Sequence, residues 1–233
     1  MKLCVIPARG GSKRIPRKNI REFCGKPMIA WSIEAAQRSD CFDRIIVSTD
    51  DQEIALIASE NGAEVPFLRP DHLSNDHAGT HDVIKHAIFK MADLGHTFEF
   101  VCCLYATAPF AVSSDINLAL DLLQRSRDSI FVFTATSFPF PIQRGVRIDS
   151  DGYSSVLDPV SASLRSQDLE DCYHDAGQFY WASTSTWSKS TNIFDNGRPL
   201  ILPRWRVQDI DTPEDWKRAE YMHLALMQEL IDV

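Results

Sequence analysis

Residues 2–21 read KLCVIPARGGSKRIPRKNIR, an apolar run typical of a buried strand that leads directly into a loop rich in glycine and basic residues. Between Arg9 and Arg21 the loop carries six lysine and arginine residues and no acid, although the formal net charge of the chain is −8. Cations crowded into one turn repel each other unless an anion holds them together. The stretch therefore predicts a strand followed by an anion-binding loop.

Outward from this stretch, short apolar runs alternate with amphipathic helical patterns. Such alternation predicts an α/β fold, a Rossmann-like and mostly parallel sheet with helices on both faces. Ligands bind at the carboxyl ends of the strands in such sheets, and the basic loop lies at such an end. The predicted strands are 2–7, 44–49, 64–68, 98–105 and 129–136, and the predicted helices are 27–36, one capped by Asp50 or Asp51 that ends at Gly62, 80–95, 113–127 with a serine cap, and 212–230.

The strand and helix alternation stops after the fifth strand. Prolines, glycines and the sequence DSDG at 149–152 predict a small β-rich inserted segment with a hairpin, at about 137–175. A return strand is expected at 177–183, and the final helix is expected to begin with Thr212 as cap and Pro213 in the first helical position. With 233 residues, of which 44% are hydrophobic, the chain is predicted to form a single domain, 1–233.

Composition excludes several protein classes. The N-terminal sequence MKLCVIP has neither the apolar run nor the cleavage site of a secretory signal, and no stretch approaches the roughly 18 apolar residues that span a bilayer. The six cysteines form no CxxC pair and no Cys/His metal spacing, which favours reduced thiols in a reducing compartment. We therefore expect a cytoplasmic protein without a membrane partner.

Three roles fit the basic loop. A nucleic-acid contact fits the run KRIPRK, but this patch is one loop in an acidic chain without interleaved aromatic residues, so no nucleic-acid partner is expected. A solvated turn without function leaves the charge repulsion uncompensated. A polyphosphate site explains both residue types, because Gly10 and Gly11 let backbone amides approach phosphate oxygens. The cations in such a site are Arg9, Lys13 and Lys18.

The loop matches neither of the two common phosphate-binding patterns. Its lysine follows GGS directly, so the loop does not fit the pattern GxxxxGK[ST], and it contains no GxGxxG. The run PARGGSKRIPRKN followed by GKPMIAWSIEAA instead resembles the signature of cytidylyltransferases that activate acidic eight- and nine-carbon sugars, the family of CMP-sialic acid and CMP-Kdo synthetases. RIIVSTDDQEIA, GAEVPFLRP, YATAPF, YHDAGQFYWAS and VQDIDTPEDW follow in the expected order, so the resemblance covers nearly the whole chain.

The resemblance implies a sheet of the nucleotide-sugar transferase type and a defined reaction. CMP passes from CTP to the anomeric hydroxyl of a 2-keto-3-deoxy sugar acid, and pyrophosphate is released. Because negative charge grows on the pyrophosphate, the protein's task is positioning and electrostatic stabilisation. The implied partners are CTP, an acidic nine-carbon sugar and a second copy of the chain, bound through the inserted segment as a homodimer.

The family pattern also implies which residues meet the nucleotide. Asn19 and the backbone of Ala8 and Arg9 are expected near the ribose and cytosine, and Thr80 near the base. The expected CTP-binding residues are Ala8, Arg9, Gly10, Gly11, Ser12, Lys13, Lys18, Asn19 and Thr80. Arg14 and Arg17 stay open between a triphosphate contact and solvent.

The sugar acid is expected to meet the segment 165–180, which offers charged, hydroxyl and amide groups. His174 is either a proton acceptor or a loop histidine bonded to backbone. Tyr180 and Trp181 alternate along a strand, so one of them is expected in the core. The predicted sugar-binding residues are Arg165, Gln167, Tyr173, Asp175 and Gln178.

Two aspartates near the end of the chain, in VQDIDTPED, form a candidate metal site. Asp209 and Asp211 stand two apart on an extended segment, so their carboxylates point the same way and can face one Mg²⁺ together with phosphate oxygens. Asp211 has the alternative role of capping the last helix beside Thr212. The catalytic residues expected are Arg9, Lys13, Asp209 and Asp211, with Mg²⁺ as cofactor.

The strand-end motif LYATAP departs from the family pattern. Sialic acid synthetases generally carry a glutamine there, as in LQPTSP, and Kdo synthetases an acid, so a Kdo-like second metal ligand is missing. YATAPF with YHDAGQFYW resembles most the bacterial members that act on pseudaminic acid, with legionaminic and N-acetylneuraminic acid as alternatives. A uridylyl- or guanylyltransferase for neutral sugars and a non-catalytic nucleotide-binding module are the more distant alternatives.

Overall fold

The computed structural model describes residues 1–76, 78–126, 130–189 and 192–231, with side chains described up to residue 226. The strands are β1 (Lys2–Pro7), β2 (Glu22–Phe23), β3 (Lys26–Pro27), β4 (Arg44–Ser48), β5 (Phe100–Leu104), β6 (Val132–Ser137), β7 (Val146–Ile148), β8 (Ser154–Val156), β9 (Tyr173–Ser183) and β10 (Arg198–Ile201). The helices are α1 (Met28–Ser39), α2 (Gln52–Glu60), α3 (Thr80–Asp93), α4 (Ser113–Gln124), α5 (Pro159–Ala162), α6 (Thr184–Lys189) and α7 (Pro213–Ile231).

The centre is a six-stranded sheet in the order β10-β6-β9-β5-β1-β4. β1 pairs in parallel with β4 and β5, and β10 pairs in parallel with β6. β9 runs antiparallel between β5 and β6. The predicted α/β fold with a mostly parallel sheet is confirmed.

The first strand of the sheet is buried on both faces. Leu3 and Val5 pack into one apolar cluster, whereas Cys4 and Ile6 pack into the cluster on the opposite side. This is the burial expected for a strand in a sheet covered by helices on both faces. The six cysteines are free thiols, as predicted, and no helix among the described residues is long and apolar enough to cross a membrane. The cytoplasmic location stays a prediction.

Two local predictions are wrong. The segment 64–68 is not a strand and makes only two single bridges to its neighbour, at Glu64 and Leu68, because Pro66 lies inside it and has no N–H to donate. The serine cap of α4 is absent, since Val112 occupies the cap position and no side chain caps the helix. The predicted boundaries at 127 and 129 lie outside the described residues.

Other helix boundaries follow the sequence signals. The Asp51 side chain caps α2 by accepting hydrogen bonds from two backbone N–H groups. In α7, the Thr212 Oγ1 accepts from the N–H of Asp215 at 3.2 Å, and the Asp215 carboxylate accepts from the N–H of Thr212 at 2.8 Å. This reciprocal pair confirms the predicted cap at Thr212 and uses Asp215 to hold the helix start.

The inserted segment and the return strand lie at the carboxyl edge of the sheet. β7 and β8 form the predicted hairpin, and Gly152 in its turn has a φ of 87°. The return strand β9 begins at Tyr173, four residues before the predicted start. Its register to β6 is interrupted, since Tyr180 pairs with Phe133 but Asp175 pairs with Ala135. The residues between these pairs bulge out of the ladder, which re-aims side chains at the edge of the sheet.

Candidate active site

The basic loop is fixed to the body of the protein near its centre. Ile15 is fully buried in an apolar cluster with Ile210 and residues at the start of α7. The Nζ of Lys18 donates to the carbonyl oxygen of Ile210 at 2.6 Å and to Oδ1 of Asp211 at 3.2 Å. Burial of one apolar residue thus brings the loop against the segment that carries the candidate metal ligands.

Two residues predicted to meet the nucleoside hold the start of the loop in place. The N–H of Ala8 donates to the carbonyl of Ser48 at 3.0 Å, which continues the strand contact. The Asn19 side chain is buried, and its Nδ2 donates to the carbonyl of Arg9 at 2.9 Å. These contacts set the loop shape, and both Asn19 and Arg9 still line the cavity described below.

The two glycines have different surroundings. The N–H of Gly10 donates to Oδ1 of Asp50 at 3.1 Å, and a Cβ at Gly10 would lie 2.7 Å from Oδ2 of Asp51. Gly11 would meet nothing within 4 Å. Gly10 is therefore required by close packing on the start of α2, whereas Gly11 leaves open space in front of the loop.

Asp76 holds two predicted phosphate ligands in the free protein. Its carboxylate pairs with Nη1 of Arg9 at 2.7 Å and with Nζ of Lys13 at 2.5 Å. Lys13 and then Arg9 lower the pKa of Asp76 through these hydrogen bonds. All three side chains are at least one third exposed, so the triphosphate of a nucleotide can replace Asp76 as the anion between the two cations.

The structure separates the two arginines that the sequence left open. Nη2 of Arg14 pairs with Oδ2 of Asp211 at 2.8 Å, so Arg14 stands at the edge of the site. Arg17 pairs with Asp51 at 2.5 Å and with Glu53, and its hydrogen bond is the largest cause of the lowered pKa of Asp51. Arg17 therefore stabilises the start of α2.

A cavity of about 340 Å³ opens between the basic loop and the sheet edge. Its lining combines cations and Asp211 with the small apolar side chains of Ala78, Val83 and Ala106. Such a combination suits a charged polyphosphate and a flat base. The lining residues are Pro7, Arg9, Ser12, Lys13, Arg14, Ile15, Lys18, Asn19, Arg69, Ala78, Thr80, Val83, Tyr105, Ala106, Thr107 and Asp211.

Arg69 is a site residue that sequence reasoning missed. Only 5% of the residue is exposed, yet its Nε and Nη2 have no hydrogen-bond partner, and the nearest carboxylate oxygen, Oδ1 of Asp50, is 3.8 Å away. Burial lowers the pKa of its guanidinium. A buried cation with unpaired donors beside a cavity is costly to the free protein and is explained by a ligand that supplies acceptors. The sequence feature that could have pointed to Arg69 is its position directly after the half-apolar run EVPFL.

A second cavity of about 740 Å³ adjoins the first and shares Asp211 with it. It is the larger of the two and is bordered by the inserted segment, β9 and the segment before α7. The lining residues are Thr136, Ser137, Pro139, His174, Asp175, Arg204, Trp205, Val207, Gln208, Asp209, Asp211, Asp215, Arg218 and Met222.

Asp209 and Asp211 both line the second cavity, and Asp211 also lines the first. Burial raises the pKa of Asp209, and the negative charge of Asp211 raises it further, whereas Lys18 opposes both effects. Two carboxylates that repel each other in a half-buried position fit a divalent cation, which relieves the repulsion. No group of three or more His, Cys, Asp or Glu side chains among the described residues is placed to hold a metal ion. A cation here would thus take two protein carboxylates and complete its shell from phosphate and water.

The predicted sugar-binding residues are not brought together. Asp175 lines the second cavity, and the neighbouring His174, whose Nδ1 bonds to the backbone oxygen of Asp175 at 2.8 Å, also lines it. Gln178 is buried, and its Nε2 donates to the carbonyl of Arg206 at 2.8 Å. The remaining three lie on exposed surface outside both cavities, namely Arg165, Gln167 and Tyr173.

Two tyrosines, whose ring centroids lie 5.3 Å apart, each contact a residue that lines one of the cavities. Tyr105 of the LYATAP motif lines the first cavity, and its hydroxyl shares a 2.9 Å hydrogen bond with Oγ1 of Thr80. Tyr180 is buried, and its hydroxyl donates to Oδ2 of Asp175 at 2.5 Å. Trp181 is buried as well, so both members of the pair lie in the core where one was predicted, because the sheet is covered on both faces.

Comparison with known proteins gives a consistent result. A family model described as Cytidylyltransferase matches residues 3–227. A pseudaminic acid cytidylyltransferase of Campylobacter jejuni is 42% identical over 222 residues, which cover 95% of each chain. A CMP-N,N'-diacetyllegionaminic acid synthase of Legionella pneumophila is 34% identical, with 98% of each chain covered.

Among solved structures, a CMP:2-keto-3-deoxy-manno-octonic acid synthetase in complex with CTP superimposes with a TM-score of 0.71. The alignment covers 98% of both chains at 17% identity, so it supports the fold alone. A 4-diphosphocytidyl-2C-methyl-D-erythritol synthase from Anaerococcus prevotii has the same sheet architecture, with a TM-score of 0.64 at 15% identity over 97% of this chain and 96% of that one.

Proposed function

The chain belongs to the cytidylyltransferase family, and from this membership we propose that it transfers CMP from CTP to the anomeric hydroxyl of a nonulosonic acid, pseudaminic acid above all, with release of pyrophosphate. The observation that carries the proposal is the position of Asp211, which lines both cavities and pairs with Lys18 and Arg14. A nucleotide in the first cavity and a sugar in the second would meet at this carboxylate.

The first cavity offers partners for both parts of the nucleotide. Arg9, Lys13 and Lys18 supply positive charge where negative charge on the leaving pyrophosphate needs stabilisation. The buried Arg69 supplies unpaired donors to the oxygen and nitrogen acceptors of cytosine. The loop thus binds the triphosphate, and the residues around Arg69 bind the base.

Magnesium is the cofactor that fits the carboxylate pair. Asp209 and Asp211 would hold the ion, since Mg²⁺ takes one or two carboxylates together with phosphate oxygens. When bound, Mg²⁺ neutralises phosphate charge and lowers the pKa of the attacking hydroxyl. The protein residues then align the two substrates and exclude water, and no strong protein base is required.

Relatives favour pseudaminic acid over its stereoisomers as the sugar. Two relatives named for pseudaminic acid are 42% identical to this chain, and a Legionella pneumophila relative named for N,N'-diacetyllegionaminic acid is 34% identical over a similar length. The sugar is proposed to occupy the second cavity beside Asp175. Roles for the exposed Arg165, Gln167 and Tyr173 and the buried Gln178 stay predictions.

The inserted segment supports the predicted homodimer. Phe140, Ile148, Tyr153 and Val160 are 73%, 63%, 75% and 73% exposed, although all four are large apolar or aromatic residues. Exposed apolar residues concentrated in one segment are typical of an interaction surface. Sedimentation equilibrium should give a dimer for the wild type and a monomer for Tyr153→Asp; a wild-type monomer at micromolar concentration would exclude the proposal.

Pyrophosphate release with CTP and Mg²⁺ tests the function, with pseudaminic acid, N-acetylneuraminic acid and Kdo compared side by side. We expect release with pseudaminic acid and little with Kdo, and no release when UTP replaces CTP.

Asp211→Asn should lower kcat by about 100-fold or more at an unchanged melting temperature, whereas the exposed Asp121→Asn on α4 serves as the matched control. Full activity of Asp211→Asn would remove Asp211 from the mechanism, and silence of the wild type with all three sugars and with legionaminic acid would favour a non-catalytic nucleotide-binding module.

A further inference from the structure

The end of β4 contacts both the basic loop and Arg69. The N–H of Ala8, at the start of the loop, donates to the carbonyl of Ser48 at 3.0 Å, and the N–H of Arg69 donates to the carbonyl of Thr49 at 2.7 Å. Asp50 is the next residue along the chain. Its backbone is therefore fixed relative to two parts of the first cavity that carry cations.

One carboxylate oxygen of Asp50 serves both neighbours. Oδ1 accepts a hydrogen bond from the N–H of Gly10 at 3.1 Å, and the same oxygen lies 3.8 Å from Nη2 of Arg69. The second distance is too long for a hydrogen bond, so charge alone holds the guanidinium beside Asp50. Nε and Nη2 of Arg69 consequently have no hydrogen-bond partner among the described residues.

Asp50 differs in this respect from Asp76, which pairs with Arg9 and Lys13. Asp76 is the more exposed of the two carboxylates, so a triphosphate can replace it. Arg69 is buried, and an uncompensated buried cation is costly, so its counter-charge has to stay in place when a ligand binds. Burial lowers the pKa of Arg69, the charge of Asp50 opposes this effect, and the charge of Arg9 adds to it.

We propose that Asp50 is a positioning residue for the nucleotide: it holds Arg69 by charge, at a distance that leaves guanidinium donors for the ligand, and ties that arginine to the basic loop through Gly10. The inference rests on the proposed binding of CTP in the first cavity. Asp50 does not itself line that cavity, so it acts through Arg69 and Gly10. Loop and arginine are thereby held at a fixed separation, ready for one ligand.

Two variants separate the charge of Asp50 from its length. Asp50→Asn keeps an oxygen for the N–H of Gly10 but removes the counter-charge of Arg69. Asp50→Glu keeps the charge, but its extra methylene lets the carboxylate cross the 3.8 Å gap and occupy donors of Arg69. Both changes should therefore weaken CTP binding. Arg69→Met removes the group on which Asp50 acts, so in that background Asp50→Asn should have little effect on CTP.

Titration calorimetry with CTP tests the inference. Asp50→Asn should raise Kd by about tenfold in the wild-type background and by less than about twofold in the Arg69→Met background. Asp50→Glu should raise Kd by about threefold or more. Asp43→Asn is the matched control, because the exposed Asp43 also accepts a backbone N–H, that of Lys2, and does not line the first cavity.

Kinetics and melting curves give two further readouts. The KM for CTP should rise in Asp50→Asn, whereas kcat and the KM for the sugar should stay within about twofold of the wild type. The melting temperature should fall in Asp50→Asn, where a buried cation loses its counter-charge, and should recover in the double variant with Arg69→Met, which contains no such cation.

An equal loss of CTP affinity from Asp50→Asn in both backgrounds would show that Asp50 acts on the loop alone and would overturn the inference. Wild-type affinity in Asp50→Asn or in Asp50→Glu would overturn it as well. Because CTP binding is measured without sugar, the inference can fail while pyrophosphate release succeeds. Conversely, a wild type that binds CTP with the expected coupling but releases no pyrophosphate contradicts the proposed function alone.

Discussion

Replacement of Arg69 by methionine should stabilise the free protein and weaken its binding of CTP. Arg69 is 5% exposed, two of its nitrogens have no partner, and its nearest carboxylate oxygen is 3.8 Å away. Replacing poorly paired buried charges by apolar residues of similar volume stabilises proteins by about 1–4 kcal/mol. For the partial pairing with Asp50 seen here we expect about 1.5 kcal/mol, which raises the melting temperature of a chain of this size by about 4 °C.

The loss of nucleotide affinity follows from the same two nitrogens. Each would gain a hydrogen bond from a charged donor to the base, worth about 1.5 kcal/mol at the low end of its range. Methionine at position 69 supplies neither bond, so CTP binding should weaken by about 3 kcal/mol, or about 100-fold in Kd. The stability and the affinity thus change in opposite directions.

Thermal denaturation without ligand and titration calorimetry with CTP measure the two effects on the same preparations. Arg38→Met is the matched control, because the Arg38 side chain is 70% exposed on α1 and should change neither quantity by more than its error. A lower melting temperature together with wild-type CTP affinity would refute the reasoning, since it would make Arg69 a structural residue.

Three further predictions concern the free protein. Asp76→Asn should lower the KM for CTP by about threefold in steady-state assays, because the triphosphate no longer displaces a competing carboxylate; an unchanged KM would exclude that competition. Burial lowers the pKa of His81, whose ring nitrogens have no partner, so the stabilising effect of neutral His81 is complete above the unfolded pKa of about 6.5 and is lost as pH falls through the folded pKa. Between about pH 7 and about pH 5, the melting temperature should therefore fall more for the wild type than for His81→Phe. An equal fall in both proteins would contradict this. Thr212→Ala should cost about 1 kcal/mol in denaturant unfolding, since the N–H of Asp215 loses its cap, and unchanged stability would show that the cap is dispensable.

How far the sequence predicts this molecule depends on whether a feature is local. The period of apolar residues and the capping residues Asp51 and Thr212 are local signals, and the elements that they predicted are present. The segment 64–68 has the residue types of a strand, but pairing depends on backbone N–H groups along its length, and Pro66 removes one. The residue types therefore overstated the strand, because the proline inside the segment interrupts the pairing.

Burial and register are not local, and they account for what the sequence missed in the site. Arg69 was missed because the run EVPFLRP gives its position but not the burial of its side chain. The ring contact of Tyr105 and Tyr180 could not be predicted, because it requires β9 to lie beside β5, which is known only from the pairing of Cys103 with Tyr180. The basic loop was predicted because its charge pattern is contiguous.

The reversed direction of β9 explains why two cavities meet at one edge of the sheet. A parallel strand in this position would bring its carboxyl end to the edge where the basic loop lies. β9 instead brings its amino end there, so the inserted segment that precedes it lies at the same edge and Asp175 lines the second cavity. The bulge at Gly177 then brings the backbone to where a Cβ would lie 4.0 Å from Asp209. One antiparallel strand thus brings the inserted segment and Asp175 to the edge that carries the basic loop, close to Asp209, and substitutions that straighten its bulge should impair the second cavity.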